Sequence, residues 1–84
     1  MASSKKWYVY IVECCDKSLY TGITTDVERR VKEHNGSKKG AKYTRTRRPV
    51  RLVKHWEFEN RRQAIKEEIR IKKLKKSDKI KLIT

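Results

Sequence analysis

WYVYIVECCDKSLYTGITTDVERRVKEHN, Trp7 to Asn35, is the stretch whose reading decides the fold. Trp7 to Val12 is aromatic and β-branched without a polar break, the composition of a strand buried on both faces. Leu19 to Ile23 is a second, shorter apolar run, and Cys15-Asp16-Lys17 is a tight polar corner between the two. A hairpin is the simplest connection. A three-residue loop sets Cys14 opposite Ser18, so that Tyr10, Val12, Tyr20 and Gly22 share one face. A two-residue loop would put Tyr10 and Tyr20 on opposite faces, because a one-residue slip flips every side chain. The three-residue register is the one expected here, with Gly22 leaving a gap beside the tyrosines.

A helix follows. Thr25 is placed to cap it and Glu28 stands three residues on, as in a capping box. Val27, Arg30, Val31 and His34 fall on one helical stripe and are expected to face the sheet, whereas Arg29 points out. Arginine is rarely buried without a partner, so Arg30 and His34 on an inward stripe call for a site.

These residues resemble the GIY-YIG nucleases, most closely the small stand-alone members. That group is related to the N-terminal nuclease domain of the bacterial excision-repair incision subunit. Val9-Tyr10-Ile11 stands where the first triplet falls and Tyr20-Thr21-Gly22 where the second falls. Thr25 to Asn35 is similar to the helix that carries the family's arginine and a histidine. Ala41–Val53 and Ala64–Leu74 also resemble the stand-alone subgroup. Val9 replaces the first glycine, Thr21 replaces the middle isoleucine, and no amide follows Glu68 where many members carry one. The resemblance implies a metal-dependent endonuclease whose catalytic residues are Tyr10, Tyr20, Arg30, His34 and Glu68. It implies that Glu68 holds a single Mg²⁺ or Mn²⁺, and that the substrate is nucleic acid, DNA first, in repair or processing. A non-catalytic, basic nucleic-acid-binding module on the same fold is the alternative.

Composition agrees with such a partner. The chain has 84 residues, with 24 basic against 10 acidic and a formal charge of +14. Nucleic acid is the natural partner of that excess, with plain solubility the bland reading. One domain, 1–84, is expected, with residues 1–6 outside its ordered part. No run suits a membrane span and MASSKK lacks the apolar segment of a signal peptide, so a cytoplasmic monomer is expected. Two adjacent cysteines cannot supply a zinc site of the usual spacing. Cys14 reads as a core filler and Cys15 as a turn residue.

Asn35 to Pro49 reads as a basic loop, with Lys38, Lys39, Lys42, Arg45, Arg47 and Arg48 around Tyr43. Cations for phosphates and a ring for stacking make it the expected nucleic-acid contact. Val50 to Phe58 is a third strand, with Val50, Leu52, Trp56 and Phe58 on the covered face, Lys54 breaking the alternation and His55 on the other side. Asn60 caps a helix running to about Lys75, in which Ile65 and Ile69 mark one edge of the apolar arc and Ala64 with Ile71 the other. Glu68 falls inside the arc and Glu67 outside it, while Lys72, one turn beyond Glu68, joins the expected nucleic-acid contacts. The plain alternative for Glu68 is an i,i+4 ion pair with Lys72. Ser77 is placed to cap a short last helix that closes the core with Ile80 and Ile83. The architecture expected is α/β (α+β): a three-stranded antiparallel sheet, 7–14, 18–23 and 50–58, flanked by helices 26–34, 60–75 and 77–83.

Overall fold

The structure is a computed structural model and describes residues 5–36 and 38–84. Residues 1–4, part of the segment expected to lie outside the domain, are not among the described residues; Lys6 is, and its ammonium pairs with Glu59. Three strands, β1 (Trp7–Glu13), β2 (Leu19–Thr24) and β3 (Arg51–Phe58), form one antiparallel sheet in the order β2-β1-β3. The helices are α1 (Val27–Gly36), α2 (Lys42–Arg45), α3 (Arg61–Lys72) and α4 (Lys76–Ile83).

The central strand is covered on both sides, as its unbroken apolar run requires: Val9, Tyr10, Ile11 and Val12 are each at most 1% exposed. Tyr10, Val12 and Cys14 meet Tyr20, Val27, Val31, Val50 and Leu52 beneath α1. Val9 and Ile11 meet Ala64 and Ile71 of α3, with Leu82 and Ile83 of α4 alongside. The hairpin has the three-residue loop. Cys14 N–H donates to the Ser18 carbonyl and Lys17 N–H to the Cys14 carbonyl. Lys17 takes φ 72°, the left-handed residue that such loops need before the second strand. Tyr10 therefore pairs with Gly22 and Val12 with Tyr20.

Four local expectations are corrected. Asp26, not Thr25, caps α1: its carboxylate accepts from Arg29 N–H, while Thr24 Oγ1 accepts from Asp26 N–H and turns the chain out of β2. A β-bulge between the residues facing Ile11 and Val12 inserts Val53 into β3, which reverses its phase. Val50 and Leu52 consequently face α1, whereas Val53, Trp56 and Phe58 face α3. This is why Lys54 looked like a break in the alternation. Lys75, not Ser77, occupies the N-cap position of α4, where its carbonyl takes the N–H groups of Asp78 and Lys79. Ile80 and Ile69 are 42% and 48% exposed, so Leu82 joins Ile83 in the core and the inward stripe of α3 centres on Ala64 and Ile71. Asn60 does cap α3, accepting from Gln63 N–H, and Gln63 Oε1 accepts from Glu59 N–H.

Candidate active site

Tyr10 lies across β2 because its cross-strand partner is glycine. A Cβ on Gly22 would stand 2.5 Å from the Tyr10 hydroxyl, so the gap expected beside the tyrosines is filled by the Tyr10 ring itself. The hydroxyl reaches His34 Nε2 at 2.7 Å. His34 is fully buried at the end of the α1 stripe, and its Nδ1 meets Thr44 Oγ1 of α2 at 2.8 Å. Burial, helped by the Arg30 and Arg48 charges and opposed by Glu33, pushes the imidazole pKa down to about 4. Burial pushes the Tyr10 phenol up to about 12 against the pull of neighbouring Arg30. Both groups are neutral at pH 7, and a hydrogen bond joins them.

Arg30 is half-buried, its side chain 22% exposed, and it donates to Glu33 Oε1 at 2.9 Å and to the Lys39 carbonyl at 2.7 Å. Burial works against its charge, but Glu33 and Tyr10 outweigh burial and hold its pKa above the ordinary value. Arg29 is exposed, as its place off the α1 stripe required. Tyr20 sits with its ring centroid 6.5 Å from Tyr10 and 5.3 Å from His34. Its outer face stacks on Tyr43 at 5.9 Å and 25°, and Arg47 covers the Tyr43 ring at 3.9 Å. The ammonium of Lys72 lies 5.9 Å from the centre of the Tyr20 ring.

Glu68 stands on α3, which packs on the other side of the sheet against β1 and β2. Its charge is felt at Tyr10, and its carboxylate pairs with Lys72 at 3.2 Å. Glu67 flanks the buried stripe of α3 on its other side and pairs with Arg70 at 2.6 Å. Among the described residues no group of three or more His, Cys, Asp and Glu is arranged to hold a metal. One carboxylate, 18% exposed, is a donor set that suits a hard cation which keeps most of its waters and does not suit zinc. Glu68 therefore fits the ion that the triplets imply.

The deciding comparison is with the GIY-YIG catalytic domain, whose family model matches residues 6–81. The chain belongs to the GIY-YIG family. It is similar to a UPF0213 protein of Cupriavidus necator, 49% identical over 94% of this chain and 85% of the relative. A UPF0213 protein of Desulfotalea psychrophila is 57% identical over 81% of this chain, which spans 62% of that relative's length. The solution NMR structure of the UPF0213 protein from Bacillus halodurans superposes with a TM-score of 0.60 at 51% identity, covering 93% of this chain and 82% of that one.

The two GIY-YIG triplets face each other across the β1–β2 ladder, and their departures from the family pattern are all on one side. Val9 and Thr21 are buried against α3, away from Tyr10 and His34, so neither touches the cluster. Thr21 Oγ1 is left without a hydrogen-bond partner among the described residues, as befits a hydroxyl at a position the family fills with isoleucine.

The basic loop is more ordered than its composition suggested. Residues 38–49 include the one-turn helix α2. Lys38, Lys39, Lys42 and Arg45 are exposed, and Arg45 donates to the Lys38 carbonyl. Arg47 is tied to Asp16 and to the Tyr43 carbonyl, and Arg48 donates from Nε to the His34 carbonyl. Two residues that bind the cluster together were given no role by the sequence. Thr44 holds His34, and Asn35 clamps Val50, donating to its carbonyl at 2.9 Å and accepting from its N–H at 2.7 Å. His55, exposed on the α1 face, packs edge-on against Tyr8 at 6.0 Å.

Proposed function

We propose that the chain is a divalent-metal-dependent endonuclease that hydrolyses phosphodiester bonds in DNA, in repair or processing. The observation that carries the reading is the 2.7 Å contact of Tyr10 with a buried, neutral His34, with Arg30 beside it and the charge of Glu68 felt at Tyr10. Phosphodiester hydrolysis needs water relieved of a proton, a cation on the phosphoryl oxygens and help for the leaving oxygen.

Arg30 is the phosphate clamp; its guanidinium can exchange the Lys39 carbonyl for two phosphoryl oxygens. A phenol near pKa 12 and an imidazole near 4 make a discrete phenolate–imidazolium pair costly. The favourable route is a relay, in which Tyr10 oxygen takes the water's proton as its own passes to His34 Nε2. Burial is the main cause of the low His34 pKa; an anionic phosphate drawn to Arg30 offsets the smaller part that the Arg30 charge contributes, and to that extent makes the imidazole a better acceptor. Glu68, released from Lys72, would hold Mg²⁺ or Mn²⁺, which supplies neutralisation of charge at the scissile phosphate. Lys38, Lys39, Lys42 and Arg45 offer cations for the phosphates, while Tyr43, held between Tyr20 and Arg47, braces the loop rather than presenting a bare ring to a base.

A second reading, a nucleic-acid-binding module without cleavage, draws support from the Glu68–Lys72 pair at 3.2 Å, which occupies the carboxylate proposed for the metal. Incubating the purified chain with labelled duplex, branched and single-stranded DNA and RNA, with Mg²⁺, Mn²⁺ or chelator, separates the two. Metal-dependent cleavage supports the nuclease. Binding without cleavage on every substrate favours the module.

A further inference from the structure

The Tyr10 hydroxyl fixes where the proton on His34 must be. Tyr10 is 1% exposed, and Arg30 beside it has only donors to offer. His34 Nε2 is the acceptor within hydrogen-bond distance of that hydroxyl among the described residues. Nε2 must therefore carry a lone pair, and in a neutral ring the proton is then on Nδ1. Nδ1–H needs an acceptor in a fully buried place, and Thr44 Oγ1 supplies it at 2.8 Å. The hydroxyl hydrogen of Thr44 turns back to the Ala41 carbonyl at 3.0 Å, as threonines in a helical turn do. That carbonyl also takes the N–H groups of Thr44 and Arg45.

A competing arrangement is close at hand. Ala41 N–H stands 3.4 Å from the same Nδ1 and would serve an unprotonated nitrogen. The ring would then carry its proton on Nε2 and point it at the Tyr10 oxygen, where it could take no proton. A threonine hydroxyl can serve either form of Nδ1, and what favours Nδ1–H is that the Thr44 hydrogen is taken by the Ala41 carbonyl, in a segment the backbone holds in place. A Cβ on Gly40 would meet the Glu33 carbonyl at 2.8 Å and His34 Cα at 3.1 Å, so this segment lies directly on the last turn of α1. Arg48 fastens its far end to the His34 carbonyl.

We propose that Thr44 is a positioning residue that sets the tautomer of His34, so that Nε2 faces Tyr10 as a proton acceptor. The inference rests on the nuclease reading for its purpose, but the tautomer itself is measurable without any substrate. Long-range ¹H–¹⁵N spectra of the ¹⁵N-labelled full chain at pH 7.5 distinguish Nδ1–H from Nε2–H, with exposed His55 as the internal reference. His34 is expected as the Nδ1–H tautomer. Thr44→Val, which keeps the shape and removes the acceptor, is expected to raise the Nε2–H population, and Thr44→Ser to restore Nδ1–H. On a substrate the wild type cleaves, Thr44→Val should lower kcat by about 100-fold, within the range of proton-transfer catalysis, with Kd unchanged, and Thr44→Ser should stay within a few-fold. A wild-type His34 protonated on Nε2, or a Thr44→Val variant with an unaltered tautomer, overturns the proposal. A wild-type chain that cleaves nothing overturns the nuclease reading instead, and the spectra still decide the role of Thr44.

Discussion

A methyl group on Gly22 would stand 2.5 Å from the Tyr10 hydroxyl, 2.8 Å from its Cζ and 3.0 Å from its Cε1. Tyr10 cannot swing clear, since its ring is buried between β2, His34 and α1. Gly22→Ala should therefore push the hydroxyl off His34. Overpacking of this kind costs about 1–3 kcal/mol. Leaving a buried phenol and an imidazole nitrogen unpaired costs about 1–3 kcal/mol more. The smaller conformational freedom of alanine in the unfolded chain returns roughly 0.5–1 kcal/mol. The net loss is about 1–5 kcal/mol, and a loss near the middle of that range, about 3 kcal/mol, lowers Tm by about 12–24 °C in a domain of this size. Urea unfolding of four proteins measures it: the wild type, Gly22→Ala, Tyr10→Phe and the double variant. Without the hydroxyl the worst contact disappears, so Gly22→Ala should cost at least about 1 kcal/mol less in the Tyr10→Phe background. Additive effects, or a Gly22→Ala loss below about 0.5 kcal/mol, would show that Tyr10 does not lie over Gly22.

Glu68→Gln should abolish metal-dependent cleavage and leave nucleic-acid binding intact or slightly tighter, at a stability cost of about 0.5 kcal/mol or less; Glu67→Gln, which loses only its Arg70 partner, should cleave normally, and equal effects would refute the choice of ligand. His34 has a folded pKa near 4 against 6.5 unfolded, so its contribution is whole above pH 6.5 and lost as pH falls towards 4. Urea titrations across that window should show about 3 kcal/mol less loss in His34→Gln than in the wild type, and identical pH profiles would mean that the ring is not buried as a neutral group. Replacing Lys38, Lys42 and Arg45 together by alanine should weaken binding and reduce the slope of log K against log salt by up to about 3 units. Arg47 is kept in that experiment because it braces Tyr43 and Asp16, and an unaltered slope would mean that the three cations are merely solvated.

Much of the fold was legible because local chemistry and period agree along the first 36 residues. The apolar run of β1 and the polar corner made the three-residue loop the expected register, and with it the shared face of Tyr10 and Tyr20; that a lysine, Lys17, takes the left-handed position was not legible. The stripe of α1 placed Arg30 and His34 inward for the same reason: side-chain direction on a helix follows from spacing alone. Asn60 marked the start of α3 through a cap that needs no tertiary partner. What sequence could not decide depended on groups distant along the chain. The bulge at Val53 is a response to two covered faces, and no pattern within β3 says where the extra residue goes. Glu68 lies at the flank of a stripe centred on Ala64 and Ile71, and only the packing of α3 against β1 and β2 brings that flank towards Tyr20 and not elsewhere. Thr44 was one polar residue in a basic loop. Its importance comes from His34 being buried ten positions earlier, where an imidazole N–H without water must find its acceptor in the fold.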